Sequence, residues 1–403
     1  MLTKYKLREL IDVTRGMSLP GEYYSETGEL IRLTMGNFNY TGGGFKENTS
    51  KTDIYYTGPV RDEYILKKGD IITPLTEQAI GLLGTTAMIP ESDKYIQSQD
   101  VALITCKEDK LDHLFCYYLI SSDIVKKQLS AAAQQTKIRH TSPDKIMDCT
   151  VWIPEMSVQK RIGKTLYDID QKISLNTRMN AELEAMAKQL YDYWFVQFDF
   201  PDENGNPYKS SGGKMVYNST LKRAIPAGWE VRGVKHFADI FTGKKDVSKV
   251  TPGDYFFFSC APNPISSNEF IYDGEIVLVS GNGSYTGRVS YYNGKCDLYQ
   301  RTYGCVLRNG FKDYYPWFYS YMKFYFQPLY TGGKHGSAIP YIVYSDLADS
   351  IIVSNEKIIA EFSNKIRSIF NYRFLVQQKE NDKLTHLRDS LLPMLMNGQV
   401  TVE

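Results

Sequence analysis

The chain has 403 residues, 42% apolar and 23% charged, with 47 basic side chains against 46 acidic ones. At about 100–200 residues per domain this predicts two or three domains, each able to bury a core of its own. A net charge of +1 argues against a long basic arm or an acidic tail, yet a basic groove on a neutral surface stays compatible with it.

In chain order, the segment Met1–Leu10 is charged from Lys4 onward and has no apolar stretch of the secretory type. A first mixed domain is expected over 1–150. It opens with Leu10-Ile-Asp-Val-Thr-Arg-Gly16, continues with the strand start Gly69-Asp-Ile-Ile72, and closes with the polar loop Ala131–His140. A long helix is expected over 151–200. Ile162, Leu166, Ile169, Ile173, Asn176, Asn180, Leu183, Ala187, Leu190 and Trp194 step alternately by four and three, which is a heptad seam. A turn-rich linker over 201–224 follows; Asp202 and Glu203 sit there among Asn, Gly and Pro, where carboxylates cap turns. The second mixed domain is expected over 225–353 and the second long helix over 354–398. That helix carries a looser stripe through Ile359, Phe362, Ile366, Phe370, Phe374, Gln377, Asn381 and Leu384.

The two halves repeat one another. Phe237-Ala-Asp-Ile-Phe-Thr-Gly243 answers Leu10–Gly16, Gly274-Glu-Ile-Val277 answers Gly69–Ile72, and Gly333–Pro340 answers the loop before His140. The fold class is therefore α+β: two mixed domains separated by two long helices that form an antiparallel coiled coil, with a pseudo-two-fold internal repeat. If the helices pair with coincident centres, Asn176 and Asn180 meet Gln377 and Asn381 in an amide layer that sets register; otherwise these amides face solvent. The 31 tyrosines fall mainly in the two domains, which suits sheet faces and a wet binding surface alike.

Common chemistries leave no trace. The six cysteines form no C-x-x-C pair and read as free thiols, and the five histidines show no metal-ligand spacing. No G-x-S-x-G elbow is present, and Gly163-Lys-Thr165 resembles the end of a phosphate loop whose first glycine is replaced by Val158. No apolar run approaches the ~20 residues of a membrane helix. A cytoplasmic protein without catalytic or metal sites is expected.

The order of domain, helix, domain, helix resembles the DNA-specificity subunits of type I restriction–modification systems. The resemblance rests most on Ile153-Pro-Glu-Met-Ser-Val-Gln-Lys-Arg-Ile162, Leu190-Tyr-Asp-Tyr-Trp-Phe-Val-Gln-Phe-Asp-Phe-Pro201, Ile225-Pro-Ala-Gly-Trp-Glu-Val231 and Leu387-Arg-Asp-Ser-Leu-Leu-Pro-Met-Leu-Met-Asn-Gly398. It implies two target-recognition domains that read a bipartite, asymmetric site on double-stranded DNA. It also implies a non-catalytic chain that binds no cofactor and assembles with two methyltransferase subunits and with restriction (motor-nuclease) subunits. Those partners would use S-adenosylmethionine, ATP and Mg for adenine-N6 methylation and ATP-dependent cleavage. The alternative is a tandem-domain DNA-binding regulator or scaffold without a methyltransferase partner.

Base readout needs Arg for guanine, Asn or Gln for adenine, and donors for phosphate. The candidates in the first domain are Gln134, Gln135, Lys137, Arg139 and His140, then Thr76 and Gln78 beside Glu77. In the second they are Asn282, Ser284, Tyr285 and Arg288 within a glycine-rich hairpin, then Gln300 and Arg301, then Lys334, His335 and Ser337. Each cluster reads equally as a solvated loop or plain turn.

Overall fold

The computed structural model of the chain describes residues 2–39, 43–77, 81–132, 139–336 and 338–400, apart from the side chains of 375–378. The chain forms two compact units, Met1–Leu175 with Asn381–Glu403, and Asn176–Glu380.

The first unit is closed by its own ends. Strand Thr3–Lys6 pairs antiparallel with Thr150–Ile153, which leads directly into the first long helix, Met156–Tyr191. Between these ends lies a four-stranded antiparallel sheet in the order Ile11–Arg15, Val101–Cys106, Ile71–Pro74, Ala87–Met88. A second small sheet joins Tyr24–Ser25, Tyr55–Tyr56, Ile31–Arg32 and Tyr95–Ile96. Helix His113–Ile120, capped by the Asp112 carboxylate on the Phe115 N–H (2.9 Å), covers the core formed by Leu10, Ile71, Ile104 and Phe115.

The helix start is fixed by Gln159 of the Ile153–Ile162 stretch and by Gly163 just after it. Gln159, 1% exposed, accepts the Asp112 N–H at 3.0 Å and donates to the Lys110 and Pro154 carbonyls, so it ties the long helix to the cap of the domain helix. Gly163 lets the two helices touch, since a Cβ there would lie 2.6 Å from the Phe115 nitrogen. The glycine of the phosphate-loop lookalike is a helix-packing residue.

The second unit repeats this plan. Strand Glu230–Gly233 pairs with Ile351–Ser354 ahead of the second long helix, whose first residue is capped by Asn355 on the Ile358 N–H (3.2 Å). The sheet now has six strands, in the order Ala238–Thr242, Thr302–Leu307, Tyr272–Ser280, Val289–Leu298, Tyr255–Phe258, Ile265–Ser267. Its first four strands stand in the same order as the four of the first unit. Between the halves, Asp202 accepts the N–H groups of Asn204 and Asn206 at 2.8 and 2.9 Å, a turn-closing carboxylate.

The helices run antiparallel in each unit. In the first, Ile162 and Leu166 share a core with Leu395 and Met396, and Asp170 meets Arg388 at 2.9 Å. Tyr118 donates to the other Asp170 oxygen at 2.6 Å. In the second, Asn176 donates to Glu380 at 2.7 Å, Glu184 pairs with Arg373, and Tyr191 packs edge-on to Phe362 with ring centres 5.8 Å apart. Every heptad seam position from Ile162 to Trp194 is buried or half-buried. The second helix is interrupted by a widened π-helical segment, Tyr372–Gln377, between Glu356–Asn371 and Gln378–Met396. The run of four-residue steps Phe362, Ile366, Phe370, Phe374 leads into it, the spacing an underwound helix keeps on one face. Phe370 and Phe374 use that face against Tyr291 and Tyr319 of the domain.

Gly16 and Gly243, the last residues of the repeated opening segments, share one role. A Cβ on Gly16 would fall 2.3 Å from the carbonyl oxygens of Gln97 and Ser98, and one on Gly243 1.5 Å from that of Leu298. Overpacking of this kind costs about 1–3 kcal/mol. Gly16→Ala and Gly243→Ala should each lower the denaturant midpoint of the full-length chain by that measure, and a variant as stable as the parent would contradict the close approach.

Candidate DNA-recognition clefts

Each unit carries a cleft at the end of its main sheet, and the two are assembled by the same main-chain hydrogen bonds. In the first, the Val101 N–H donates to the Ser98 carbonyl (3.0 Å), the Leu75 N–H to Asp100 (2.8 Å), and the Thr141 N–H to Leu75 (2.9 Å). In the second, the Thr302 N–H donates to Tyr299 (2.9 Å), the Gly281 N–H to Arg301 (2.9 Å), and the Ile342 N–H to Gly281 (2.9 Å). This pattern makes Gln99 and Asp100 of the first unit structurally equivalent to Gln300 and Arg301 of the second. Thr76, bridged to His140, answers Asn282, bridged to Tyr341.

The first cleft, about 520 Å³, is lined by Arg32, Asn48, Lys51, Thr76, Gln99, Asp100 and His140 among others. Arg32 is 6% exposed and is held by the Asp53 carbonyl at 2.8 Å and by the Tyr24 ring, 3.7 Å from its guanidinium carbon. The second cleft, about 400 Å³, is lined by Phe241, Thr242, Gly281, Gln300, Arg301, Tyr303, Ile342 and Tyr344. Gln300 and Arg301 are exposed, and among the described residues the Arg301 guanidinium has no protein partner. Burial pushes the Tyr303 hydroxyl pKa up, keeping it a neutral donor, and it reaches the Ile342 carbonyl at 3.4 Å.

Residues 2–185 match the family model of the type I restriction modification DNA specificity domain. The specificity subunit of type I restriction enzyme MjaIX from Methanocaldococcus jannaschii is 22% identical over 316 residues, 72% of this chain and 69% of that subunit. The HindI specificity subunit of Haemophilus influenzae is 22% identical over an alignment that covers 99% of this chain and 100% of that one. The chain is thus similar to type I DNA-specificity subunits, through the family model over residues 2–185 and through these relatives over most of its length. The crystal structure of a type I restriction–modification S subunit from M. genitalium shares the fold, with a TM-score of 0.64 over 98% of this chain and 96% of that one at 15% identity.

Within this fold the other candidate residues have varied surroundings. Arg139 lies in the ribbon that joins Arg139–His140 to Thr76–Glu77, and its guanidinium turns inward. It pairs with Glu77 at 3.1 Å and donates to the Ser130 carbonyl at 2.6 Å. Glu77 is 2% exposed; its other oxygen accepts the N–H groups of Gly81, Leu82 and Leu83 at 3.0, 2.9 and 3.0 Å. Arg288 also turns inward, donating to the Ala261 carbonyl beside the Tyr285 ring, and burial lowers its pKa from the ordinary value. Ser284 and Tyr285 are exposed at the hairpin tip. Lys334 lies over the Tyr330 ring at 4.2 Å, and His335 bonds Asp346 at 3.0 Å while stacking on Tyr341. Gln78, Gln134, Gln135, Lys137 and Ser337 lie outside the described residues. So does the Gln377 side chain of the proposed amide layer. Asn176 of that layer is buried against Glu380, and Asn180 is half-buried.

Gln99, Asp100 and Tyr341 were missed by residue-type reasoning. The signal was present in the repeat: Gln99 and Gln300 each stand two residues before the first residue of equivalent strands, Val101–Cys106 and Thr302–Leu307. Among the described residues no group of three or more His, Cys, Asp or Glu side chains is placed to hold a metal, and no helix is long and apolar enough to cross a membrane.

Removing one partner of a buried ion pair costs about 3–5 kcal/mol, and the three N–H groups left on Glu77 place this case at the lower end. Arg139→Ala should therefore lower the stability of the full-length chain by about 3 kcal/mol in denaturant titration. Unchanged stability with relaxed preference at one base position would instead mark Arg139 as a base reader.

Proposed function

We infer that this chain is the sequence-specific DNA-binding specificity subunit of a type I restriction–modification complex, reading a bipartite, asymmetric site on double-stranded DNA. One observation carries the reading: the same cleft is built twice, by the same main-chain bonds, and lined by different side chains. Duplicated frames with different linings suit two unlike half-sites, as paired half-sites suit symmetric dimers.

The chain positions chemistry performed by others. Two methyltransferase subunits supply adenine-N6 methylation with S-adenosylmethionine, and restriction subunits supply ATP- and Mg-dependent cleavage; the chain itself holds no cofactor and works in the cytoplasm. Support for a docking role comes from the long helix in the second unit, where Met179 and Met186 lie off the seam and stay exposed at 36% and 57%. Flexible, polarisable methionines of this kind suit protein contact.

Mapping methylated adenines across the genome with and without the gene tests the reading. Loss of one motif made of two short blocks with an unspecified spacer is expected. An unchanged methylome, or loss of a single contiguous motif, contradicts it.

A further inference from the structure

We propose that the turns Ser98–Val101 and Tyr299–Thr302 are twin reading heads, in which Gln99 and Asp100 specify bases in one half-site and Gln300 and Arg301 specify bases in the other. The proposal rests on the DNA-specificity reading above and names the residues that carry it out.

Each turn is held by main-chain bonds, without help from its own two central side chains. The bond across it, Val101 N–H to Ser98 and Thr302 N–H to Tyr299, makes Gln99–Asp100 and Gln300–Arg301 the two central residues. The carbonyl of the second central residue is fixed by the Leu75 or Gly281 N–H. On the other flank the Gly16 N–H donates to Val101 (3.2 Å), the Met17 N–H to Gln97 (3.2 Å), and the Gln300 N–H to Lys245 (3.1 Å). Gly16 and Gly243 permit these approaches. In the first unit the buried Gln97 side chain adds donations to the Thr14 and Val101 carbonyls at 2.7 and 3.1 Å, and Arg15 donates to the Gln99 carbonyl at 2.6 Å.

The four central side chains take almost no part in this scaffold. Gln99, Gln300 and Arg301 are exposed and Asp100 is half-buried. Among the described residues, Gln99, Asp100 and Arg301 have no side-chain hydrogen bond or ion pair, and Gln300 has one long contact, 3.5 Å to Asp246. Arg139, Arg288 and His335, by contrast, spend their side chains on bonds to protein, while among the described residues Thr76, His140 and Asn282 flank the turns without a side-chain hydrogen bond or ion pair. A rigid backbone that presents unengaged polar side chains into a cleft is the arrangement direct readout requires.

The residue types then name the bases. A glutamine amide matches the N6 and N7 edge of adenine, and the two turns place glutamine at the same position. At the next position Arg301 matches the O6 and N7 edge of guanine, whereas the Asp100 carboxylate accepts from the N4 amine of cytosine. The half-sites are thus distinguished by opposite charge at one structural position. Lys51, lining the first cleft, offsets the repulsion between Asp100 and the phosphates.

The test selects duplexes from a randomised library with the full-length chain, purified together with a coexpressed methyltransferase subunit, and repeats the selection with Arg301→Ala, Asp100→Asn and the double glutamine variant Gln99→Ala with Gln300→Ala. Arg301→Ala should relax one G·C pair in one block by roughly tenfold or more and leave the other block unchanged. Asp100→Asn should relax one position in the other block only, and the glutamine variant should relax one A·T pair in each. Uniform loss across all sequences, or unchanged preferences in variants that fold with parental thermal midpoints, overturns the proposal. A parent protein that enriches no two-block site would instead overturn the specificity reading itself, so the two failures are distinguishable.

Discussion

Main-chain contact between neighbouring strands is the constraint on which the recognition clefts depend. At Gly16 and Gly243 the backbone approaches carbonyl groups of the loop opposite so closely that no side chain fits. That approach, with the hydrogen bonds from Leu75 and Gly281, shapes each cleft without recruiting the side chains that line it. Affinity for the fold and preference for a ligand are thereby separated: one resides in glycine and peptide groups, the other in exposed Gln, Asp and Arg. A frame of this kind can be duplicated and its lining changed with little effect on stability.

The long helices are joined to their domains by tyrosine. In the second unit Tyr291 and Tyr319 pack on Phe370 and Phe374, while Tyr325 donates to Asp192 and Tyr291 to Glu275. In the first, Tyr118 donates to Asp170, which also holds Arg388 of the other helix. Rings supply buried area, and hydroxyls add hydrogen bonds to part-buried carboxylates. Tyr118, Tyr291, Tyr319 and Tyr325 are therefore mortar between domain and helix, a third use of tyrosine beside sheet faces and binding surface.

The parts of the fold governed by periodicity were legible in the sequence. The heptad seam from Ile162 to Trp194 and the duplicated order of strands follow from spacing, which survives without knowledge of contacts. The second helix was legible only as a loose stripe, because its π-helical segment breaks the regular step and turns Phe370 and Phe374 onto the domain. In the clefts, Thr76, His140, Asn282, Gln300 and Arg301 were legible as polar residues near turns. Gln99 and Asp100 were not, because the turn that presents them is defined by peptide hydrogen bonds that no residue type announces. Glu77 and Arg139 looked like surface charges for the converse reason: nothing in sequence marks a carboxylate cradled by three peptide N–H groups.

The central claim is that two copies of one cleft read two different short sequences on a single DNA duplex. Photo-crosslinking from a single probe residue at position 99 or at position 300 of the full-length chain, onto a duplex carrying its recognised site, measures this most directly. The account predicts that the two probes label different blocks, separated by the spacer, with each probe confined to its own block. Labelling of the same block by both probes, or labelling spread evenly along the duplex, would contradict it.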